Sequence, residues 1–405
     1  MIYKFGIFEA IGIELEYMIV DKDSVDVRPL SDQLFKKVVD AYEDVSRGDM
    51  EWSNELVMHV VEIKNPKPEA QVLPLASRFR REVLAINEFL REFNCVLLSA
   101  GVHPWMNPDR ETKLWPHGNR TIYKTYDRLF GCRGHGWSNL QSMHMNFPFA
   151  NDEEFEKLHT AIRCVLPLVP ALCASSPIID GKYSGSHSSR LTHYMSNQKK
   201  IPSIMGHCVP DYAATIGSYH EQVLYPMYND VKEIDSEGVL QEEWLNSRGA
   251  VPKFERNSIE IRLADIQEAP RFDIAIAWFF EKLLKELALS GRYDQELMRS
   301  LDTRKLKSTL DGTVKAGEGA IIEYMDLLNV FGLHQPTTAK DLIRKILGDL
   351  KIEDREKTAG REIEAILDKG TLATRILKAH NKNGDLKKIF WQMTECLAGD
   401  VFFES

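Results

Sequence analysis

Residues 12–20 read Gly12-Ile13-Glu14-Leu15-Glu16-Tyr17-Met18-Ile19-Val20, a stretch in which Ile13, Leu15, Tyr17 and Ile19 alternate with Glu14, Glu16 and Met18. Strand side chains point to opposite faces with period two, so this spacing predicts a strand with one apolar face and one acidic face. Three distant segments repeat the design. In VVEIKNP (60–66), Val61 and Ile63 oppose Glu62; in SMHMNF (142–147), Met143, Met145 and Phe147 oppose His144 and Asn146. In SIEIRLAD (258–265), Ile259, Ile261 and Leu263 oppose Glu260 and Arg262. One such strand is ordinary, because antiparallel sheets often wet one side.

The polar residues are the unusual part. Solvated strand faces carry Lys, Thr and mixed charges, whereas here three of the four strands contribute carboxylates. Each has a bland reading: a solvated face for Glu14 and Glu16, a hydrogen-bonded structural residue for His144, a simple ion pair for Glu260 and Arg262. Side by side in one sheet, however, like charges ~4 Å apart cost about 4 kcal/mol at an effective dielectric near 20. A cation must sit among them, and an oxygen-rich set suits Mg²⁺ or Mn²⁺. Zinc fits poorly, with no HExxH and no Cys/His quartet. Neither GxxxxGK[ST] nor a post-strand GxGxxG occurs, which argues against P-loop and dinucleotide folds.

Outward from these strands, helices are predicted at about Leu73–Phe93, Asp152–Leu166 and Asp273–Leu289 from apolar residues at helical spacing. Beyond about Tyr293, runs such as TAKDLIRKILGDL and LKKIFWQMTECLAG predict a helical layer. The expected organisation is a catalytic core over residues 1–292 and a helical region over 293–405, packed as one domain. Residues 103–137 and 181–217, rich in Gly, Pro, Ser, His and Asn, read as long loops. Trp105, Trp115, Arg120, Tyr123 and Arg190 within them suggest loops that cover a substrate.

The 405 residues are 43% apolar and 27% charged, a globular composition, and the net charge of −9 argues against a nucleic-acid partner. No apolar run approaches the ~20 residues that span a bilayer. The acidic residues within the first twenty argue against a signal peptide, so a cytoplasmic protein is expected. Six scattered cysteines without a CxxC pair fit a reducing compartment: Cys95, Cys164 and Cys173 in apolar runs, Cys132 and Cys208 in loop-like segments, and Cys396 in the tail.

GIELEYMIVD, VEIKNP, SMHMNF, ASSPIIDGK and IEIRLAD occur in the order typical of glutamate–cysteine ligases. Over roughly residues 8–290 the chain resembles that family, in its bacterial carboxylate–amine ligase branch. The resemblance implies an α+β fold similar to the catalytic domain of glutamine synthetase, a curved antiparallel sheet whose concave face is the active site. Helices would lie on the other face. It also implies an ATP- and Mg²⁺-dependent ligase that makes an acyl phosphate of glutamate and then an amide with an amine such as cysteine. Matched by motif, Glu14, Glu16, Glu62 and Glu260 would bind metal; His144, Asn146 and Arg262 would face the nucleotide. Arg262 and Arg190 would stabilise the transferred phosphoryl group or the substrate carboxylate. One departure stands out: where many carboxylate–amine ligases have a first histidine in an HxHV strand, this chain has Ser142. A guanidino-type phosphotransferase and a non-catalytic nucleotide- or metal-binding protein remain as alternatives, and a homodimer is compatible with the sequence.

Overall fold

The computed structural model describes residues 5–118, 120–235 and 237–405. Eight strands form one antiparallel sheet: β1 (Gly12–Asp21), β2 (Val45–Ser46), β3 (Glu51–Asn54), β4 (Val60–Lys64), β5 (Cys95–Leu98), β6 (Ser142–Pro148), β7 (Ala250–Lys253) and β8 (Ser258–Asp265). Their order is β2-β3-β4-β1-β6-β8-β7, and β5 pairs with the second half of β1. The fold class is α+β, and all four alternating segments are neighbours or near neighbours at the centre of the sheet, as their shared design demanded.

Ile13, Leu15, Tyr17 and Ile19 are fully buried on one face, in a core they share with three helices. Helix α1 (Leu75–Leu90) brings Leu75, Phe79, Val83, Ile86 and Leu90 to that core, a stripe at helical spacing. Helix α2 (Asp152–Val165) starts at Asn151, whose side chain accepts from the Glu154 N–H. Helix α4 (Pro270–Leu289), which follows the short helix α3 (Ser189–Tyr194), begins three residues before the position expected from periodicity. Pro270 occupies its first turn, where a missing N–H costs no hydrogen bond. Fourteen of its side chains are buried, the mark of a helix covered on all sides.

From Gln295 onward the chain is mostly helical, and it serves both faces of the sheet. Helix α5 (Lys357–Lys369) packs on α4. Helices α6 (Leu372–Asn383) and α7 (Leu386–Gly399) instead send Leu372, Ile376, Ile389, Phe390 and Met393 against Met18, Val20 and Leu98. The sheet face that carries Glu14 and Glu16 is thus covered by apolar helices over its far half and open over its acidic half.

The stretch 103–137 is less irregular than its composition suggested. Arg120–Phe130 is an eleven-residue helix whose Tyr126, Leu129 and Phe130 pack on the core. Trp105 belongs to the tail cluster, with Nε1 donating to Asp26 Oδ1 at 2.9 Å, and Trp115 is buried against Phe35, so neither covers a substrate. Tyr123 takes a hydrogen bond from Asn54 at 3.1 Å; the Arg120 side chain lies outside the described residues. All six cysteines are buried and unpaired. Among the described residues no helix is long and apolar enough to cross a membrane.

Candidate active site

Strand register decides which polar groups meet. Glu16 lies opposite Glu62, and Glu62 opposite Ser53. One step along, Glu51, Lys64, Glu14 and His144 form a row across four strands. In the next row Gly12 faces Asn146, which faces Glu260. A Cβ on Gly12 would stand 3.3 Å from Asn146 Cβ, so glycine makes room for the asparagine. All four predicted metal carboxylates therefore share one patch of one face with His144 and Asn146.

The contacts follow the rows. His144 Nδ1 donates to Glu14 Oε2 at 3.0 Å, and its Nε2 lies 3.8 Å from Glu16 Oε1. Asn146 Nδ2 donates to Glu14 Oε1 at 3.4 Å. Ser142 supplies its N–H and hydroxyl to Glu16 Oε2, at 2.7 and 2.8 Å. This serine occupies the position where relatives were expected to carry histidine, and here it orients a carboxylate. Glu62 Oε1 accepts from Ser53 at 2.7 Å and from Lys64 Nζ at 3.1 Å. Glu260 accepts from Arg262 Nε and has Lys253 Nζ 3.9 Å away.

Protonation reflects this crowding. Burial alone would depress the His144 imidazole, but the Glu14 hydrogen bond and the charges of Glu16 and Glu260 outweigh it and lift the pKa to about 9. Burial raises the Glu16 carboxyl despite His144 and Ser142. Burial opposes ionisation of Glu260 too, yet Arg262, Lys253 and His144 pull its pKa below the usual range. Glu55, on the loop after β3, is raised by burial and by Glu62 and Glu16. Among the described residues His144 lies against Glu14 and Glu16 and Lys64 against Glu62, with Arg190 acting on Glu16 and Lys253 on Glu14 from farther off.

The donor set fits a divalent cation. Single ligand atoms of Glu14, His144 and Glu260 all lie within 4.8 Å of one another, and the same holds for Glu16, Glu62 and His144. Carboxylate oxygens dominate both groups, which suits Mg²⁺ or Mn²⁺.

Two cavities flank the carboxylate wall. The larger, about 510 Å³, is lined by Glu14, Lys64, Asn65, Asn146, Glu255 and Arg256 among others. The smaller, about 200 Å³, carries Glu16, Glu55, His144, Arg190, Arg262 and an aromatic side built from Tyr126, Trp137, Tyr194 and Trp244. Tyr126 lies 5.3 Å from Trp137 and 5.6 Å from Trp244, ring centre to ring centre. The Tyr194 hydroxyl donates to Ser247 O at 2.9 Å and is hydrogen-bonded to Arg262. Arg190 and Arg262, named from distant motifs, meet in this cavity.

Family and fold relationships agree with the geometry. The description of glutamate–cysteine ligase family 2 matches residues 10–390. The chain belongs to that family. Membership makes it an enzyme of the carbon–nitrogen ligase class. Its relatives include an uncharacterised protein of Archaeoglobus fulgidus, 33% identical over 312 residues that span 75% of this chain and 83% of the relative. A Herpetosiphon aurantiacus protein, named provisionally as a glutamate–cysteine ligase 2, is 22% identical over 95% of this chain and 91% of its own. The crystal structure of a Francisella tularensis glutamate–cysteine ligase in complex with AMP shares the fold, with a TM-score of 0.66. That match has 14% identity and covers 98% of this chain and 90% of the other.

Several site residues escaped the sequence reading: Glu55, Lys64, Lys253, Tyr194 and the Tyr126–Trp137–Trp244 cluster. Lys64 alone carried a usable signal, since it shares strand parity with Glu62.

Proposed function

We propose that this chain is an ATP- and Mg²⁺-dependent ligase that joins the side-chain carboxylate of glutamate to an amine through an acyl phosphate. The observation that carries the reading is the cluster of Glu14, Glu16, Glu62 and Glu260 around His144, in which Glu14 opens on the larger cavity and Glu16 on the smaller. The larger has the volume a nucleotide requires, and Lys64 and Arg256 give it cations for phosphates. The smaller offers two guanidinium groups for carboxylate or phosphoryl oxygens and an apolar side for an amine substrate. The AMP complex of the Francisella ligase supports a nucleotide on this fold.

Divalent cations held by the four glutamates, when bound, would neutralise phosphate charge as the carboxylate attacks the terminal phosphorus in line. Arg262 would hold the equatorial oxygens of the transferred group, and Arg190 the anionic group of the carboxylate substrate. Glu55, which lines the smaller cavity, would take the proton released when the amine attacks the acyl phosphate. His144 holds Glu14 and Glu16 in fixed orientation. Family membership supports amide formation over phosphotransfer that stops at a phosphorylated acceptor.

The test is ADP release by the purified protein with Mg²⁺, ATP and L-glutamate, with and without a panel of amines that includes L-cysteine. The expected result is release that needs both glutamate and one amine, with matching amide. Release that yields a stable phosphorylated acceptor and no amide would overturn the reading.

A further inference from the structure

The segment ASSPIIDGK and the last residue of SIEIRLAD have no part in the chemistry above, yet they meet at a buried point behind the smaller cavity. Asp265 is 1% exposed. Its Oδ1 accepts from Arg190 Nε at 2.6 Å and from Ser188 Oγ at 3.1 Å. Its Oδ2 accepts from the Ser175 N–H at 3.0 Å and from Ser176 Oγ at 2.6 Å. Ser176 Oγ in turn accepts from the Arg190 N–H at 3.1 Å. The guanidinium is pinned a second time, through Nη2 to the Arg262 carbonyl at 2.9 Å.

Two features show how tightly this point is built. A β-bulge between Ile261 and Ala264 shifts the register of β8, so that Asp265 faces Ser142. Ser142 lies on the acidic face, where it holds Glu16. Without the bulge, Asp265 would share parity with Ile259 and Ile261 and point into the apolar core. Gly101 supplies the second feature. A Cβ there would stand 2.9 Å from Asp265 Cγ and 3.0 Å from Ser175 Oγ, so only glycine admits the carboxylate at this distance.

We propose that Asp265 is a positioning residue for the reaction: with Ser175, Ser176 and Ser188 it forms a rigid seat that fixes the Arg190 guanidinium at the wall of the smaller cavity. An arginine has five N–H donors in a planar fork. The seat and the Arg262 carbonyl occupy the Nε–Nη2 edge, which leaves the Nη1 end for the anionic group of a substrate. A free arginine would lose rotamer entropy on binding that group, and the seat removes this cost in advance. The proposal rests on the reading that the smaller cavity receives the carboxylate substrate.

The experiment compares wild type with Asp265→Asn, Ser176→Ala and Gly101→Ala in steady-state ADP release, varying glutamate and ATP separately, with circular dichroism on each variant. Asp265→Asn is expected to raise the KM for glutamate at least about tenfold, with the KM for ATP within about twofold of wild type. Ser176→Ala and Gly101→Ala should move the glutamate KM the same way by about threefold or more. In parallel, millimolar guanidinium should restore activity to Arg190→Ala and should fail to restore it to Arg190→Ala/Asp265→Asn. Should Asp265→Asn not fold, Ser176→Ala and the rescue of Arg190→Ala decide. Folded variants with an unchanged glutamate KM, or rescue that does not depend on Asp265, would overturn the seat alone. A wild type with no glutamate-dependent turnover would overturn the functional reading on which it rests.

Discussion

Glu14 and His144 face each other across neighbouring strands, with His144 Nδ1 donating to Glu14 Oε2 at 3.0 Å. Because the other ring nitrogen lies near Glu16, one imidazolium ties two candidate metal ligands together. The pKa of about 9 exceeds the ordinary value of 6.5, so His144 binds its proton more tightly folded than unfolded. Its contribution to stability is complete below pH 6.5 and is lost as pH rises through about 9. Metal-free protein in EDTA should therefore lose thermal stability over that window, and His144→Asn should flatten the loss. Divalent cation affinity should rise over the same window as the proton leaves, with proton release detectable by calorimetry in buffers of different ionisation enthalpy.

Glu16 and Glu260 occupy the two overlapping ligand groups. Replacing either with Gln keeps volume and removes a charge. At least roughly tenfold loss of turnover is expected, or about 1.4 kcal/mol of transition-state stabilisation. Calorimetric titration with Mn²⁺ should show weakened binding in both variants, and wild-type affinity in either would remove that carboxylate from the ligand set.

Lys64 holds Glu62 at 3.1 Å and Glu51 at 3.5 Å, and lies opposite Glu14. Lys64→Met should cost about 1–2 kcal/mol in EDTA, because it leaves buried carboxylates short of a cation. Added Mn²⁺ should recover most of that loss, and the thermal midpoint with and without metal is the measurement. An equal deficit under both conditions would mean that Lys64 acts through packing instead.

Far from the site, Arg375 and Glu268 form a buried ion pair that also grips the last residues of the chain. Arg375 Nη1 donates to Phe403 O at 2.8 Å, and its guanidinium lies 3.9 Å from the Phe402 ring centre. Arg375→Met strands Glu268 without its partner and should cost about 3–5 kcal/mol. Denaturant unfolding monitored by tryptophan fluorescence would measure it, and deletion of residues 401–405 should cost less, since the pair itself survives.

Stability should also fall on the acid side. His59 and His103 are buried with pKa values pushed down to about 4, and His159 to about 3, chiefly by burial. Folded, they bind protons more weakly than in the unfolded chain, so their contribution is complete above pH 6.5 and is lost as pH falls through about 4. His159→Phe, which keeps the stacking on Phe155, should reduce the acid loss seen in thermal scans.

How much of this was legible in the sequence depends on parity and on distance along the chain. Ile13, Leu15, Tyr17 and Ile19 announced their strand because a sheet with one wet face requires alternation. The acidic positions followed from the same period. Glu55 gave no such sign, because it stands on irregular backbone beyond β3. Lys253 was hidden by Pro252, a residue tolerated here because β7 is an edge strand. Tyr126, Trp137 and Trp244 converge from separate segments, and no local pattern encodes a meeting of that kind. The helix at 120–130 was masked by charged residues interleaved with its apolar side.

The bulge in β8 carries one more consequence, for how this protein can change over generations. Upstream of it, Ile259, Glu260 and Ile261 obey the strand's alternation; downstream, Asp265 obeys the opposite one. Exchange of one residue for another at Ile261, Leu263 or Ala264 leaves both phases intact, whereas Arg262 is held by its role in the site. Loss or gain of a single residue would rotate Asp265 away from Arg190 and turn a carboxylate into the apolar layer. This short stretch should therefore tolerate new side chains far more readily than a new length, and descendants of the chain that keep the active site should keep its count of residues.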